Sequence, residues 1–560
     1  MEEFLRWKQC AGEDNDIANE LRELEGDSSG IEDAFYKDLT FGTGGLRGVI
    51  GAGTNRMNIY TVAKASQGLS DYVNKHFPEG MCSIAVSFDS RIGSERFSKA
   101  AAGVFAANGI RVYIYPELMP TPCLSFAVRE LGCAAGVMVT ASHNPAKYNG
   151  YKVYGPDGCQ ITTETAEEIQ TEIGKLDIFD DVRTGDFDAG VAAGEIQYIP
   201  ETVCTAFINA VKSQSMADET GKIDKDVAIV YTSLNGTGVK PVLRTLKESG
   251  YNNITVVSEQ EQPDGRFPTC PYPNPEISEA MALGIRYARR ARADLLLATD
   301  PDCDRVGIAV PGPDGNYVLL SGNETGMLLL DYICMRHKER GSMPEEPVFI
   351  KTIVTTDMAE RIAAGYGVRT VNVLTGFKFI GEQIGLLEKE DKADSYLFGF
   401  EESCGYLSGP YVRDKDGVGA SLLICEMLAC YKARGLSLLE KLEGLYETFG
   451  YCLNTLHSFE FEGISGQERI KSIMAHFRKD VDVFAGKKVL SCQDYLQGLD
   501  GLPRSDVLKF ILEDHCSVVV RPSGTEPKLK VYISVSAKDA GAAQETEKRI
   551  AEELNGCCVS

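Results

Sequence analysis

At 560 residues the chain is too long for one hydrophobic core, and three or four domains of roughly 100 to 200 residues each are expected. Hydrophobic residues make up 43% and charged residues 25%, a globular composition that excludes disorder as the main character of the chain. The formal charge of −24 repels polyanions and speaks against a nucleic-acid partner, so any anionic ligand has to be caught by a local cluster of cationic or N–H donors.

The opening MEEFLRWKQC has no apolar h-region, and no later stretch approaches the roughly 18 uninterrupted apolar residues of a membrane span. A cytoplasmic location without membrane contact is expected. The 17 cysteines are scattered, none in a C-x-x-C pair, and many sit in apolar runs such as Leu423-Ile424-Cys425, which reads as reduced core thiols. Six histidines far apart in sequence argue against a His-rich zinc site.

Along the chain a β-branched run, a Gly/Ser/Asp loop and a stretch of helical period recur, the pattern of α/β units with mainly parallel sheets. The first unit is predicted to hold strands near 83–87, 112–115 and 137–139 and helices over 94–108 and 121–131. After a helix over 201–213 come strands at 227–231, 254–257 and 295–298, closing at the turn 311–315. A third unit has strands at 348–353, 370–374 and 396–398 and helices ending near Tyr446. The last hundred residues read as α+β, with strands at 517–520 and 530–535 and a polar helix over 540–554. The expected domains are therefore 1–205, 206–321, 322–448 and 449–560: three α/β domains with mixed, mainly parallel sheets and a C-terminal α+β domain, packed around one central cleft. Ligands of open α/β sheets bind beyond the carboxyl ends of the strands, so the loops there carry the interest.

Thr140-Ala141-Ser142-His143-Asn144-Pro145 follows the apolar run 134–139. Read alone it is either a strand-ending turn or a serine presented beside a histidine by a proline-stiffened turn. Thr299-Asp300-Pro301-Asp302-Cys303-Asp304-Arg305 also follows an apolar strand; three carboxylates at alternate positions suit a hard cation such as Mg²⁺, with a solvated acidic turn as the alternative. An EF-hand is excluded, because Arg305 stands where its glycine and Pro311 where its glutamate belongs. Gly399-Phe400-Glu401-Glu402-Ser403 offers carboxylates and a hydroxyl for sugar hydroxyls, or is a solvated loop. Arg521-Pro522-Ser523-Gly524-Thr525-Glu526-Pro527 joins a guanidinium, hydroxyls and a glycine, as a phosphate cradle or a plain hairpin turn. No Walker A sequence, strand-linked G-x-G-x-x-G or G-x-S-x-G elbow is present.

In this order the four segments resemble the active-site loops of the α-D-phosphohexomutase family, which includes phosphoglucomutase and phosphomannomutase. Phe41-Gly42-Thr43-Gly44-Gly45-Leu46-Arg47-Gly48 resembles the family's opening loop, and Asp89-Ser90-Arg91, Thr375-Gly376-Phe377-Lys378 and Arg413-Asp414-Lys415-Asp416-Gly417 match further signatures. The resemblance implies a phosphoserine at Ser142 and one Mg²⁺ per chain, held by Asp300, Asp302, Asp304 and a phosphate oxygen on Ser142. It further implies sugar contacts from Glu401 and Ser403, substrate contact from Arg305, and a grip on the distal phosphate by Arg521, Ser523, Gly524 and Thr525. Arg47 and His143 line the reacting end in relatives. Two departures bear on mechanism: Gly44 stands where many relatives have serine, and Gly405 replaces a histidine that some mannose-processing relatives carry. Lys152 and Lys378 are then the acid/base candidates.

The length and the GTGGLRG and GFEESCGY variants resemble the long phosphoglucomutase branch of the family. The implied activity is an isomerase that interconverts glucose 1-phosphate and glucose 6-phosphate, with glucose 1,6-bisphosphate as intermediate and activator, in a monomer or weak homodimer. Mannose and pentose phosphates are alternative substrates within the family. Outside it stand an aspartyl-nucleophile phosphatase or mutase, to which Asp300-x-Asp302 is suited but Asp304 is not, and a non-catalytic sugar-phosphate sensor.

Overall fold

The computed structural model describes residues 1–12, 14–42, 44–217, 223–461, 463–479, 481–499, 501–523 and 528–559. They form two compact units, one of residues 1–320 with 381–393 and 405–429, the other of residues 321–380, 394–404 and 430–560.

The first unit contains a six-stranded sheet in the order Gly45–Val49, Tyr148–Tyr154, Ala135–Val139, Ser83–Phe88, Arg111–Ile114, Ile196–Tyr198. The last four strands are mutually parallel and the first two antiparallel. Ser83–Phe88 and Ala135–Val139 are buried nearly throughout, as strands covered on both faces by helices must be. Helices Ile59–His76, Ser94–Ala107 and Thr121–Glu130 are among its layers, and Val62, Leu69, Phe105, Val112 and Val137 share one core. The antiparallel return after Val139 sets much of the local chemistry, because it pairs Met138 with Lys152, and the next strand pairs Arg47 with Gly150. A side chain at Gly150 would meet the carbonyl oxygens of Thr140 at 2.5 Å and Leu46 at 2.9 Å, so only glycine lets the three strands close.

A second sheet in this unit runs Tyr317–Leu320, Val306–Pro311, Leu295–Thr299, Ile229–Thr232, Ile254–Val256, with the last three strands parallel and the first two antiparallel. Residues 300–305 are thus a tight connection between antiparallel neighbours, in which Thr299 pairs with Val306.

Three short helices, Glu2–Cys10, Asn15–Glu23 and Ser28–Phe35, precede the first sheet, the latter two capped by the side chains of Asp14 and Asp27. They bury Phe4, Trp7, Ile17, Leu21 and Ile31. The Trp7 ring meets Phe35, Tyr60 and Phe179 edge-on at 5.4 to 5.7 Å between centroids.

In the second unit, parallel strands lie in the order Arg369–Val373, Val348–Thr352, Tyr396–Glu401. An antiparallel sheet follows in the order Tyr451–Glu460, Lys528–Ala537, Ser517–Pro522, Leu508–Leu512, Lys487–Asp494, Val483–Phe484, packed with helices Gly463–Phe477 and Ala540–Val559. Asp357 ties these layers together: its carboxylate accepts from buried Lys351 at 3.0 Å, from buried Lys509 at 2.8 Å and from Ser517 Oγ at 2.9 Å.

The expected class, three α/β domains and a C-terminal α+β domain with mixed sheets, is the one observed. Several element bounds differ. The strand expected at 396–398 continues to Glu401, that at 530–535 spans Lys528–Ala537, that at 227–231 spans Ile229–Thr232, and the last helix reaches Val559. All 17 cysteines are free and 13 of them buried, and among the described residues no helix is long and apolar enough to cross a membrane.

Trp7 is the chain's one tryptophan and fully buried, so its emission reports docking of the N-terminal helices. Trp7→Ala should lower unfolding stability by about 3–5 kcal/mol, the cost of emptying a large aromatic site, measured by circular dichroism in denaturant. A loss under about 1 kcal/mol would mean that these helices dock independently of it.

Candidate active site

Strand Ala135–Val139 delivers Thr140, after which Ser142 takes a left-handed backbone conformation, φ 51°. That conformation costs a non-glycine residue about 1 kcal/mol and persists only where neighbours impose it. Here Ser142 N donates to Thr140 Oγ1 at 2.8 Å, and Thr140 Oγ1 donates to buried Asp89 Oδ2 at 2.6 Å. The turn leaves Ser142 Oγ donating to Asp300 Oδ2 at 2.7 Å, with His143 Nδ1 at 3.2 Å. Burial, with Arg305 and Arg47 nearby, pushes the His143 imidazole well below its ordinary pKa.

Strand Leu295–Thr299 is buried at every position and leads directly into Asp300. The turn is drawn tight by Asp300 Oδ1, which accepts the N–H groups of Asp304 at 3.1 Å and Arg305 at 3.0 Å, and Cys303 is left-handed at φ 52°. Asp300, Asp302 and Asp304 are all buried, and one carboxylate oxygen of each lies within 4.8 Å of the others. Two ammonium groups face them. Lys152 Nζ is 2.8 Å from Asp302 Oδ2 and 3.5 Å from Asp304 Oδ2, and Lys415 Nζ is 3.2 Å from Asp304 Oδ2. Thr121, at the start of helix Thr121–Glu130, gives its N–H to Asp302 O at 2.9 Å and its hydroxyl to Asp302 Oδ2 at 3.0 Å.

Asp302 Oδ1 and Asp304 Oδ1 are buried and accept no hydrogen bond among the described residues. Unsatisfied buried carboxylate oxygens are costly, and their convergence with a third carboxylate is the donor set of a hard divalent cation. The residues therefore fit Mg²⁺. Burial, and then Asp302 and Asp304 beside it, push the Asp300 carboxyl well above the usual range. Burial opposes ionisation of Asp302 too, but Lys152 and Lys415 outweigh it and hold that carboxyl far below the usual range.

Arg305 NH1 pairs with Glu276 Oε1 at 2.5 Å, and Arg47 is exposed on strand Gly45–Val49. Ser142, His143, Lys152, Asp300, Asp302, Asp304, Arg305 and Arg47 all lie in the first unit. Sequence reasoning does not single out Lys415, although the signature 413–417 contains it. Gly405 explains its reach: a Cβ there would overlap Lys415 Cδ. Asp414, which accepts from Tyr154 Oη at 2.7 Å, holds Lys415 Nζ from the other side at 3.1 Å.

The remaining expected residues belong to the second unit. Glu401 ends its strand rather than standing in a loop, is 6% exposed, and accepts Gly376 N at 3.0 Å, where φ is 121°. Cys404 is left-handed at φ 61°, Ser403 is half-buried, and Lys378 Nζ lies 5.2 Å from the Phe379 ring centroid. Arg521 is opposite Lys530 across strands Ser517–Pro522 and Lys528–Ala537. Ser523 N donates to Lys528 O at 2.7 Å, while Gly524 and Thr525 lie outside the described residues.

Comparison with known proteins finds matches over most of the chain. Phosphoglucomutase/phosphomannomutase alpha/beta/alpha domains I, II and III match residues 38–178, 205–313 and 321–449, and that family's C-terminal domain matches 471–553. The chain belongs to the phosphoglucomutase/phosphomannomutase family, and it is an isomerase of the mutase type. Among curated relatives, it is 38% identical to a phosphoglucomutase of Staphylococcus saprophyticus over 514 residues, covering 90% of this chain and 91% of the relative. It is 37% identical to the phosphoglucomutase of Staphylococcus aureus strain MRSA252, with the same coverage. Its fold is shared with pp63/parafusin, a phosphoglucomutase from Paramecium, at TM-score 0.70 and 18% identity over 93% of this chain and 95% of that one. A putative phosphomannomutase from Thermus thermophilus gives TM-score 0.70 and 23% identity over 92% of this chain and 99% of that one.

The loop that carries Lys415 also supplies a pH signal. Burial pushes the Asp416 carboxyl up to about 6, against hydrogen bonds from Tyr411 and the N–H of Val418. Folding prefers this acid protonated, so stability falls as pH rises from the ordinary carboxylate range through about 6, by up to about 3 kcal/mol. Asp416→Asn removes the titration and keeps an acceptor for the Val418 N–H, while its amide NH2 faces the Tyr411 hydroxyl, which must turn to accept. It should be more stable than the parent by about 1–3 kcal/mol at about pH 7.5, the gap closing towards about pH 4, in denaturant melts across that range. A gap independent of pH would assign the effect to packing.

Proposed function

We propose that the chain is a phosphoglucomutase, interconverting glucose 1-phosphate and glucose 6-phosphate through a phosphoserine at Ser142 and a glucose 1,6-bisphosphate intermediate. The observation that carries this reading is the 2.7 Å hydrogen bond from Ser142 Oγ to Asp300, at the edge of a buried carboxylate triad with two unsatisfied oxygens. In the reaction the P–O bond to Ser142 breaks as a sugar hydroxyl oxygen bonds to phosphorus and gives up its proton. After the bisphosphate has turned, its other phosphoryl group returns to Ser142 Oγ. Phosphoryl transfer asks for position and charge stabilisation more than covalent help, which is what a rigid turn beside two ammonium groups supplies.

Asp300, Asp302 and Asp304, with an oxygen of the phosphoserine, would hold one Mg²⁺. When bound it supplies neutralisation of charge on the phosphoryl oxygens. Lys152 and Lys415 approach the same carboxylates and are placed to donate to phosphoryl oxygens or to exchange the sugar's proton. In this reading Lys378 is a further acid/base candidate, and His143, Arg47 and Arg305 border the reacting phosphate. Glu401 and Ser403 bind sugar hydroxyls, and Arg521, Ser523, Gly524 and Thr525 hold the distal phosphate. Arg521 and Lys530 support the last role, since their places directly opposite one another across the strand pair put two cationic side chains on one face of the sheet beside that loop. Glucose 1,6-bisphosphate also serves as activator, and the enzyme works on monophosphorylated sugars as a cytoplasmic monomer or weak homodimer. An aspartyl nucleophile is disfavoured, because both oxygens of Asp300 are engaged by Ser142 and the turn's own N–H groups.

Ser142→Ala should lower turnover by at least ~1,000-fold without altering the thermal melt, and should abolish labelling by glucose 1,6-bisphosphate labelled on phosphorus. Label that persists in the variant would overturn the assignment.

Chelation should stop turnover and added Mg²⁺ should restore it. Asp302→Asn, which removes one charge from the donor set, should raise the Mg²⁺ concentration for half-maximal activity at least ~10-fold and weaken Mg²⁺ binding in calorimetry to match. An unchanged metal requirement would place the cation elsewhere.

A further inference from the structure

Arg91 is the largest charged group near Ser142 with no part in the reaction described above, and its side chain is fully buried. All five of its N–H donors point at the backbone of one loop. Nε donates to Ser142 O at 3.2 Å, NH1 to Pro145 O at 3.0 Å and Tyr148 O at 3.1 Å, and NH2 to the carbonyls of Ser142 and Asn144. The countercharge is Asp89, also buried, at 3.4 Å from Nε. Asp89 accepts from Arg91 N at 2.9 Å, Ser94 Oγ at 2.7 Å and Thr140 Oγ1, which in turn accepts Ser142 N.

The other face of the guanidinium is covered from the second sheet's layer. Phe267 lies 5.1 Å from its carbon, and Gly265 forms a bridge with the Arg91 backbone so close that a Cβ at 265 would overlap Ile92 N. Arg91 is therefore fixed on both sides before it meets the loop.

We propose that Arg91 is the positioning residue for phosphoryl transfer: its fork gathers the loop carbonyls inward, and this forces Ser142 into the left-handed conformation that aims Oγ at Asp300. The geometry supports a positional rather than a purely cohesive role. A loop held only by packing would not need four inward carbonyls matched to five donors, nor a second anchor, Thr140, on the N–H of the same serine. The inference rests on Ser142 being the phosphoryl carrier. Arg91 touches no reacting atom, so it acts through the serine's orientation, and a misplacement of about 1 Å in such a site costs on the order of 100-fold in rate.

Arg91→Lys keeps the charge but offers three mobile donors in place of a planar fork. Two measurements separate position from stability: the single-turnover rate of labelled phosphoryl transfer from glucose 1,6-bisphosphate to Ser142, and the affinity for glucose 6-phosphate by calorimetry. The expected result is a loss of ~100-fold in the first with less than a ~3-fold change in the second. A folded variant that transfers at the parental rate overturns the inference, and so does one that loses rate and affinity in equal measure. Should Arg91→Lys fail to fold, Thr140→Val removes the other anchor and should slow transfer by ~10-fold at unchanged affinity, a parental rate again being fatal. A parent protein that takes no label at all removes the proposed function and this inference with it, whereas a labelled parent and an unimpaired variant remove only the inference.

Discussion

Three carboxylates buried within 4.8 Å of one another repel strongly, and the surrounding elements are arranged to offset that repulsion. The first sheet reverses direction after Val139, which places Lys152 against Asp302. Helix Thr121–Glu130 points its N-terminal N–H and hydroxyl at Asp302. The turn's own N–H groups occupy Asp300. None of these partners reaches Asp302 Oδ1 or Asp304 Oδ1, which are left over together. The two lysines alone do not balance three ionised carboxylates, and the two left-over oxygens are a donor set that fits a cation.

Three of the loops share one backbone device. Ser142, Cys303 and Cys404 each adopt a positive φ just beyond a buried strand, at 51°, 52° and 61°. Glycine would take these angles more easily, but it would loosen the turn in the unfolded and folded states alike. At Ser142 and at Cys303 the turn is closed by side-chain oxygens, Thr140 Oγ1 and Asp300 Oδ1, that accept backbone N–H groups of the same turn. The strain is local, and the strands that bear it are among the most buried in the chain.

The strands of the α/β layers are legible in the sequence because buried strands appear as short runs rich in apolar residues, and these occur at 83–88, 135–139 and 295–299. The N-terminal helices are not, since each is only eight or nine residues long and carries few apolar residues between charged ones. Glu401 reads as part of a loop because the polar run Glu401-Glu402-Ser403 looks solvated; in the fold the first of these is buried and tethered to Gly376, a contact 25 residues away that no local pattern encodes. Ser142 and the three aspartates stand out because their spacing is short-range. Arg91 and Lys415 surface only as parts of unassigned signatures, since their partners lie 51 to 57 and 111 residues away.

Gly405 shows how a missing side chain can be informative. In sequence, its lack of a Cβ reads as loss of an acid/base group at that position, leaving the question of what replaces it. The structure ties the two facts together: the space beside Gly405 is filled by the aliphatic stem of Lys415, whose ammonium stands 3.2 Å from Asp304. Any larger residue at 405 would displace that stem, and with it the charge that Asp304 shares with Lys152. Substitution at Gly405 and substitution at Lys415 therefore act on one group, and their effects should be non-additive, because either change alone already removes the ammonium from the triad. A side chain at 405 and the present course of Lys415 therefore exclude one another, and Gly405 is what lets this ammonium face the three carboxylates.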